Sequence, residues 1–328
     1  MKPTDFAKCL TGYMTVELPG QQGVSVNTIK SYRDTFSLFL AFCRDAKGFK
    51  IEKFTLKLLD GKLAADFLMW LESERGNSVA TRNQRLSALH GFCRYVQAEE
   101  PAYLLNCQQI LAIGAKKPQK QCVNYLSGDM LRSILAKPDL SARNGRRDLL
   151  ILSVLYDTGA RVSELIGLNV RDVRLDDAPI IMLNGKGNKS RHVPLMNKTA
   201  DMLSDYLSEN KLTSPQRLDH PLFFNRSKVR FTRPGITYIL QKYCGDSKIT
   251  PHVLRHTKAM HLLQSGVNIV YIRDILGHVD LKTTETYARA DTEMKRKAMQ
   301  NVYHDLLPPS IPKWTDDAEL MQWLHDFV

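Results

Sequence analysis

The sequence predicts a mainly α-helical protein in two parts, the second carrying one small antiparallel sheet. Three observations predict it. Apolar residues recur at helical spacing through most of the chain, as in Ile29, Tyr32, Phe36, Phe39, Leu40 and Cys43. Strand character is confined to Pro179–Leu183 and the stretch after it, Asn184-Gly-Lys186-Gly-Asn-Lys189-Ser-Arg191-His-Val-Pro194. This stretch turns back through a glycine-rich tip as a hairpin. Between the parts, Ala115-Lys-Lys-Pro-Gln-Lys-Gln-Cys122 is polar, holds three lysines and a proline, and has no acid, which is the composition of a linker. A chain of 328 residues has material for two buried cores.

In the first part, residues 1–115, Gly20 to Gly23 read as a loop, after which Ser25 or Asn27 caps a helix running to Cys43. Leu63 to Leu71, with Phe67, Leu68 and Trp70, gives a second amphipathic helix. Ser78 starts a third, through Leu86, Leu89, Phe92 and Tyr95, and Leu104 to Ile113 gives a short fourth. Four helices of this kind suit a compact bundle. Thr81, Arg82, Asn83 and Arg85 put a polar, basic face at the start of the third, a face that suits phosphate and suits plain solvation equally well. Lys116, Lys117 and Lys120 add charge in the linker, residues 116–125, where two basic parts would close on a duplex.

In the second part, Ser127 caps a helix near Asp129, and Leu149, Leu150, Leu152, Val154 and Leu155 line another over Asn144–Tyr156. That helix halts at Thr158-Gly159-Ala160. Arg161 stands at the junction with a further short helix, where a side chain can be aimed into a pocket. Lys186, between two glycines at the hairpin tip, has the reach to enter a DNA groove. His252 and Arg255 stand three residues apart and share one helix face. The bed of that helix is Leu254, Met260, Leu262 and Leu263, and Gly266 stops it. A second helix through Ile269, Ile272 and Leu276 ends at Gly277 and delivers His278 from a loop, with Tyr287 nine residues later. A guanidinium, several imidazoles and a phenol, without a cysteine or carboxylate cluster to hold a metal, suit an anionic phosphate attacked by an activated hydroxyl. Singly each has a plainer reading: a surface pair, a histidine at a helix C-terminus, a half-buried phenol.

The formal charge is +12, with both large segments basic and residues 309–328 acidic. A polyanion gripped from two sides fits this balance, as does simple solubility. The six cysteines include no Cys-x-x-Cys pair, which argues against zinc and a disulfide framework and fits a reducing cytoplasm. No apolar run approaches the ~20 residues of a membrane span, and no signal peptide opens the chain. The expectation is a soluble, cytoplasmic protein with no cofactor and no membrane partner.

With Arg161, Lys186, His252, Arg255, His278 and Tyr287 in this order, the chain resembles the tyrosine recombinase (phage integrase) family of bacterial, phage and transposon type. The motifs that carry the resemblance are Thr158-Gly-Ala-Arg161-Val-Ser-Glu164-Leu, Gly185-Lys186-Gly-Asn-Lys-Ser-Arg-His-Val-Pro194-Leu, His252-Val-Leu-Arg255-His256-Thr, and Leu276-Gly277-His278 with Tyr287, over roughly residues 126–290. The resemblance implies the tyrosine recombinase fold. A helical-bundle core-binding domain spans 1–115, and a mostly α catalytic domain with a small antiparallel sheet spans 126–308. A tail, 309–328, docks on a neighbouring protomer or on its own domain. It also implies strand exchange without added energy, metal or cofactor.

In the family a tyrosine attacks a DNA phosphodiester to form a 3′-phosphotyrosyl bond and release a 5′-hydroxyl. Carried over, Tyr287 is the nucleophile, Arg161 and Arg255 clamp the non-bridging oxygens, and His252 assists proton transfer at Tyr287. Lys186 protonates the leaving oxygen, His278 hydrogen-bonds the phosphate, and Glu164 orients Arg161. The implied partners are double-stranded DNA with a specific recombination site and further copies of the chain in a synaptic tetramer. Thr81, Arg82, Arg85, Lys116, Lys117, Lys120, Lys189 and Arg191 are the expected DNA contacts. Two other tyrosines compete as nucleophile: Tyr271, expected to be packed in the helix before Gly277, and Tyr303, past the matched region. Lys258 departs from the family's usual apolar residue. The same chemistry in a type IB topoisomerase or telomere resolvase, and a catalytically silent DNA-binding regulator, stand as alternatives.

Overall fold

Short polar side chains placed just ahead of apolar runs set many of the helix starts. Thr4, Ser25, Asp60, Ser78, Ser127, Thr232 and Asn268 each accept a hydrogen bond from a backbone N–H of the first turn that they precede, satisfying a donor with no partner inside the helix. The computed structural model describes residues 2–118, 124–185, 189–246, 248–277, 284, 287 and 318–327. They fall into two units, Met1–Gln121 and Cys122–Val328.

In the first unit, α1 (Asp5–Gly12) continues as a π-helix through Gln21 and is followed by α2 (Val26–Asp45), α3 (Gly61–Ser73), α4 (Val79–Glu99) and α5 (Leu104–Leu111). The opening helix takes in Gly20 and Gln21 of the expected Gly20–Gly23 loop, and Gln22 and Gly23 lie outside it. Proline and glycine there argue against helix, but Phe6, Cys9, Tyr13 and Leu18 are all buried, and that burial outweighs local preference. Each fully buried phenylalanine stabilises by roughly 2 kcal/mol relative to exposure. Phe92 of α4 sits at the centre, with the rings of Phe6 and Phe36 edge-on to it at 5.6 and 5.1 Å.

In the second unit, α6 (Gly128–Leu135), α7 (Arg143–Thr158) and α8 (Val162–Gly167) lead into a three-stranded antiparallel sheet, β1 (Val173–Arg174), β2 (Ile180–Asn184) and β3 (Ser190–Pro194). Val193 pairs with Ile181, so the buried faces of β2 and β3 coincide. Then come α9 (Asn197–Glu209), α10 (Arg233–Cys244), α11 (Pro251–Gln264), α12 (Ile269–Leu276) and α13 (Ala318–His325). The strand β1 and helices α9 and α10 are additions to the elements expected. The core gathers on α7, whose Leu150, Ile151, Leu152, Val154 and Leu155 are buried with Ile181, Leu183, Leu203, Ile236, Leu240 and Leu254. A smaller cluster joins Ala259, Met260 and Leu263 of α11 to Ile272 and Leu276 of α12 and to Tyr287.

Tyr271, expected to be packed, faces outward on α12 at 66% exposure. Tyr303 and Trp314 lie outside the described residues, as do Lys120, Lys186 and His278. In the described part of the tail, Met321, Trp323 and Leu324 of α13 are exposed, as is Phe327 just beyond it. Among the described residues, no helix is long and apolar enough to cross a membrane.

Candidate active site

The site is built where two chain reversals meet the strand β3. The first is the end of α7. Thr158 Oγ1 donates to Val154 O and accepts from Ala160 N–H, and Gly159 turns the chain at φ +57. A Cβ at Gly159 would come within 2.7 Å of Leu276 Cδ2, so this turn packs against the end of α12 and only glycine fits both demands. Arg161 follows as the residue ahead of α8, with its side chain still 38% exposed.

The second reversal ends α12 at Gly277, φ +63, and leaves carbonyls pointing outward as acceptors. Arg161 Nη2 donates to Gly277 O at 3.2 Å, and Arg255 Nη2 donates to Leu276 O at 2.6 Å. Arg255 Nη1 also donates to Gly159 O at 2.7 Å, so one guanidinium fastens the ends of α7 and α12 to α11. Arg255 is 2% exposed, and two of its five N–H groups are so engaged. Burial first, and Arg161 second, push its pKa down to about 10, which leaves it charged at neutral pH.

The third contribution comes from β3. Arg191 donates from Nε to Ile275 O at 2.8 Å, and from Nη1 and Nη2 to the two oxygens of Glu164 at 3.1 and 2.8 Å. Glu164 also accepts from Arg161 Nη1 at 2.7 Å and from Arg161 N–H at 2.8 Å. Its carboxylate is thus shared by two guanidiniums with its side chain 3% exposed. Burial alone would raise the Glu164 pKa, but the bonds from Arg191 and Arg161 outweigh it and hold the carboxyl below the ordinary range. Three guanidiniums face one carboxylate. The balance of two positive charges suits a phosphodiester that gains negative charge as it reacts.

His252 and His256 are one helical turn apart on α11, their ring centroids 4.2 Å apart. Burial and the neighbouring Arg255 and Arg161 lower the His252 pKa; burial, His252 and Arg255 push His256 down to about 4. Both imidazoles are therefore neutral at pH 7. The Tyr287 hydroxyl lies 2.8 Å from His256 Nδ1. Burial raises the phenol's pKa, and the nearby Arg255 and Arg161 only partly offset it, so the free enzyme holds this tyrosine protonated.

Of the residues expected in the site, the structure brings together Arg161, Glu164, His252, Arg255 and Tyr287. Glu164 reaches Arg161 as expected of an orienting residue, and Arg191 as well. Arg191, expected on DNA, is instead committed to Glu164 and Ile275 O with its side chain 12% exposed. Two residues before Val193 on an alternating strand, it lies on the inward face. Arg82 and Arg85 are likewise turned inward. Arg82 Nη1 donates to Asn83 Oδ1 and Gly114 O, and Arg85 Nη1 to Ser31 O and Thr35 Oγ1, so both tie the bundle together instead of offering a basic face. Thr81 completes the N-terminal turn of α4 against Ser78, and Lys116 pairs with Glu72 at 2.7 Å. Lys117 and Lys189 are exposed. His256 was not singled out by the sequence, although its spacing from His252 puts it on the same face. Among the described residues, no group of three or more His, Cys, Asp or Glu side chains is placed to hold a metal ion.

Comparison with known proteins follows the same lines. The model of the Phage integrase family matches residues 124–294, and that of the Phage integrase N-terminal SAM-like domain matches residues 15–100. The chain is 35% identical over 309 residues to y4rC of Sinorhizobium fredii, named for an integrase/recombinase, covering 91% of this chain and 92% of the relative. It is 30% identical to tyrosine recombinase XerD of Listeria monocytogenes, covering 87% and 94%. In fold it resembles XerH site-specific recombinase bound to difH substrate in a post-cleavage complex, with TM-score 0.68 and 24% identity over 85% of this chain and 81% of that one. A lambda integrase dimer on a core site gives TM-score 0.64 at 16% identity, over 92% and 80%. Matched across both units in sequence and in fold, the chain belongs to the phage integrase family, the tyrosine recombinases.

Proposed function

We propose that this protein is a site-specific DNA recombinase that cleaves and rejoins duplex DNA through a 3′-phosphotyrosyl intermediate, acting in the cytoplasm as a tetramer assembled on two recombination sites. The observation that carries the reading is the cradle of Arg161 and Arg255, ordered by Glu164 and Arg191, beside a buried tyrosine whose hydroxyl meets an imidazole. Arg161 and Arg255 bind the non-bridging oxygens of the scissile phosphate and stabilise the charge that grows there. Tyr287 Oη attacks phosphorus, the 3′ side of the break becomes a phosphotyrosine, and the 5′ oxygen leaves with a proton from Lys186. His252 and His278 complete the polar contacts around the phosphate. Exchange of one ester for another conserves the bond, so a 5′-hydroxyl from a partner duplex reseals the strand without ATP.

The test uses a duplex selected from a random library by binding to the wild-type protein, nicked so that the cleaved end is lost. The wild type should accumulate a covalent protein–DNA adduct. Tyr287→Phe should bind the duplex with unchanged affinity and form none, because only the hydroxyl is removed. A wild type that binds tightly and never forms an adduct would favour the DNA-binding regulator.

A further inference from the structure

We infer that His256 is the base that takes the phenolic proton of Tyr287 as the hydroxyl attacks phosphorus, a role that rests on the reading of Tyr287 as nucleophile. The bond between Tyr287 Oη and His256 Nδ1 is 2.8 Å, full hydrogen-bonding length. Their ring planes stand 62° apart with centroids at 5.4 Å, which lets the hydroxyl meet the imidazole at its edge, where the nitrogen lone pair lies. The pair joins residues 31 apart in sequence, so helical spacing does not account for it. His256 rides on α11 directly after Arg255, and the residue that fastens the phosphate cradle therefore also fixes the imidazole's place.

Among the described residues, the groups that face this imidazole are His252, Arg255 and Tyr287, and His252 and Arg255 act on it in one direction. With burial they keep it neutral down to about pH 4. A neutral imidazole protonated at Nε2 offers Nδ1 as an acceptor, and the phenol then donates. Burial keeps the proton on the phenol oxygen until a substrate binds. A phosphate diester entering beside Arg161 and Arg255 brings the negative charge that offsets those guanidiniums, and the proton affinity of His256 rises when the substrate is in place.

The step balances inside the site. The Oη lone pair forms the O–P bond while the P–O5′ bond breaks with its electrons on the 5′ oxygen. The phenolic proton passes to Nδ1, and the 5′ oxygen receives its proton from the general acid of the proposed reaction. While the phosphotyrosine stands, His256 carries the proton. When a 5′-hydroxyl attacks, the imidazolium returns it to Oη, so cleavage and rejoining together consume no outside acid or base. His252, exposed at the start of α11, then acts on the phosphate and not on the phenol.

The test compares full-length wild type, His256→Ala, His256→Asn and Tyr287→Phe in single-turnover adduct formation on the selected nicked duplex. A second duplex carries sulfur in place of the 5′ bridging oxygen, a leaving group that needs no proton. His256→Ala should slow adduct formation on the order of 10²-fold on both duplexes, since sulfur relieves the leaving group and not the nucleophile. The lost rate should return as pH rises and the phenol ionises unaided. His256→Asn keeps a hydrogen-bond acceptor but cannot carry a proton, and should stay within about tenfold of the alanine variant. Full activity in His256→Asn, wild-type rates in His256→Ala, or a defect that sulfur abolishes would each overturn the assignment. If gel shift shows that His256→Ala no longer binds DNA, the asparagine variant decides, and a slowing that is independent of pH overturns it. Adduct formation by Tyr287→Phe would instead sink the nucleophile assignment beneath it.

Discussion

Arg161 and Arg255 are alike in sequence and unlike in setting. Arg161 is partly exposed and bonded to a carboxylate; Arg255 is buried and bonded to two carbonyls. A lysine at either place would supply one charge without the planar fork, and at 255 it would leave a carbonyl unsatisfied. Arg161→Lys and Arg255→Lys should each slow single-turnover cleavage by about 10²-fold or more, with the greater loss of thermal stability in Arg255→Lys. Full activity of both would contradict the clamp. Glu164 makes a second residue-scale prediction. Its folded-state pKa is depressed, so its contribution is fully present above the unfolded value near 4.3 and is lost as pH falls through the lower folded value. Glu164→Gln should cost roughly 3 kcal/mol at pH 7, because the mostly buried Arg191 and the partly exposed Arg161 lose their shared, buried partner. The gap in unfolding midpoint between variant and wild type should close as pH falls below about 4. A gap that is constant from pH 7 to 3 would mean that the amide, not the lost charge, causes the change.

At the scale of elements, the end of α12 does more than stop a helix. Its carbonyls at 275, 276 and 277 each accept from a different arginine, Arg191, Arg255 and Arg161 in turn. One left-handed glycine makes this possible. A Cβ at Gly277 would stand 2.8 Å from Arg191 Nη1 and 3.0 Å from its Cδ, in a backbone conformation already unfavourable to alanine. Gly277→Ala should therefore lose more than about 1 kcal/mol of stability and also slow cleavage, while DNA affinity in a gel shift holds. Stability loss with unchanged cleavage would show that Arg191 can move without disturbing Glu164 and Arg161.

For the whole molecule, the net charge of +12 acts on a polyanion, and binding should weaken steeply as salt rises because phosphate contacts release counterions. A flat logarithmic plot of affinity against salt would contradict this. Cleavage should continue in EDTA, since guanidiniums supply the positive charge at the phosphate. Loss of adduct in EDTA that a divalent ion restores would overturn that account.

Helix starts were legible because capping is local: a serine or aspartate ahead of an apolar run meets its N–H partner within three residues, as Ser78 meets Thr81. The motifs of the candidate site were legible because their order in the chain survives folding. Arg161, Glu164, His252, Arg255 and Tyr287 could be named from sequence, and Glu164 and Arg161 are close enough in the chain for their contact to be expected. Direction was not legible. Arg82, Arg85 and Arg191 look like surface charge in sequence, yet each finds acceptors on segments 27 or more residues away. The α1 extension through Pro19 is decided by what Tyr13 and Leu18 touch, and the pairing of Tyr287 with His256 by how α11 meets a distant segment. Sequence by itself determined which groups the reaction has at hand. Tertiary structure alone decided which of the cations face a substrate and which imidazole holds the phenol, because hydrogen bonds and burial between distant segments set both.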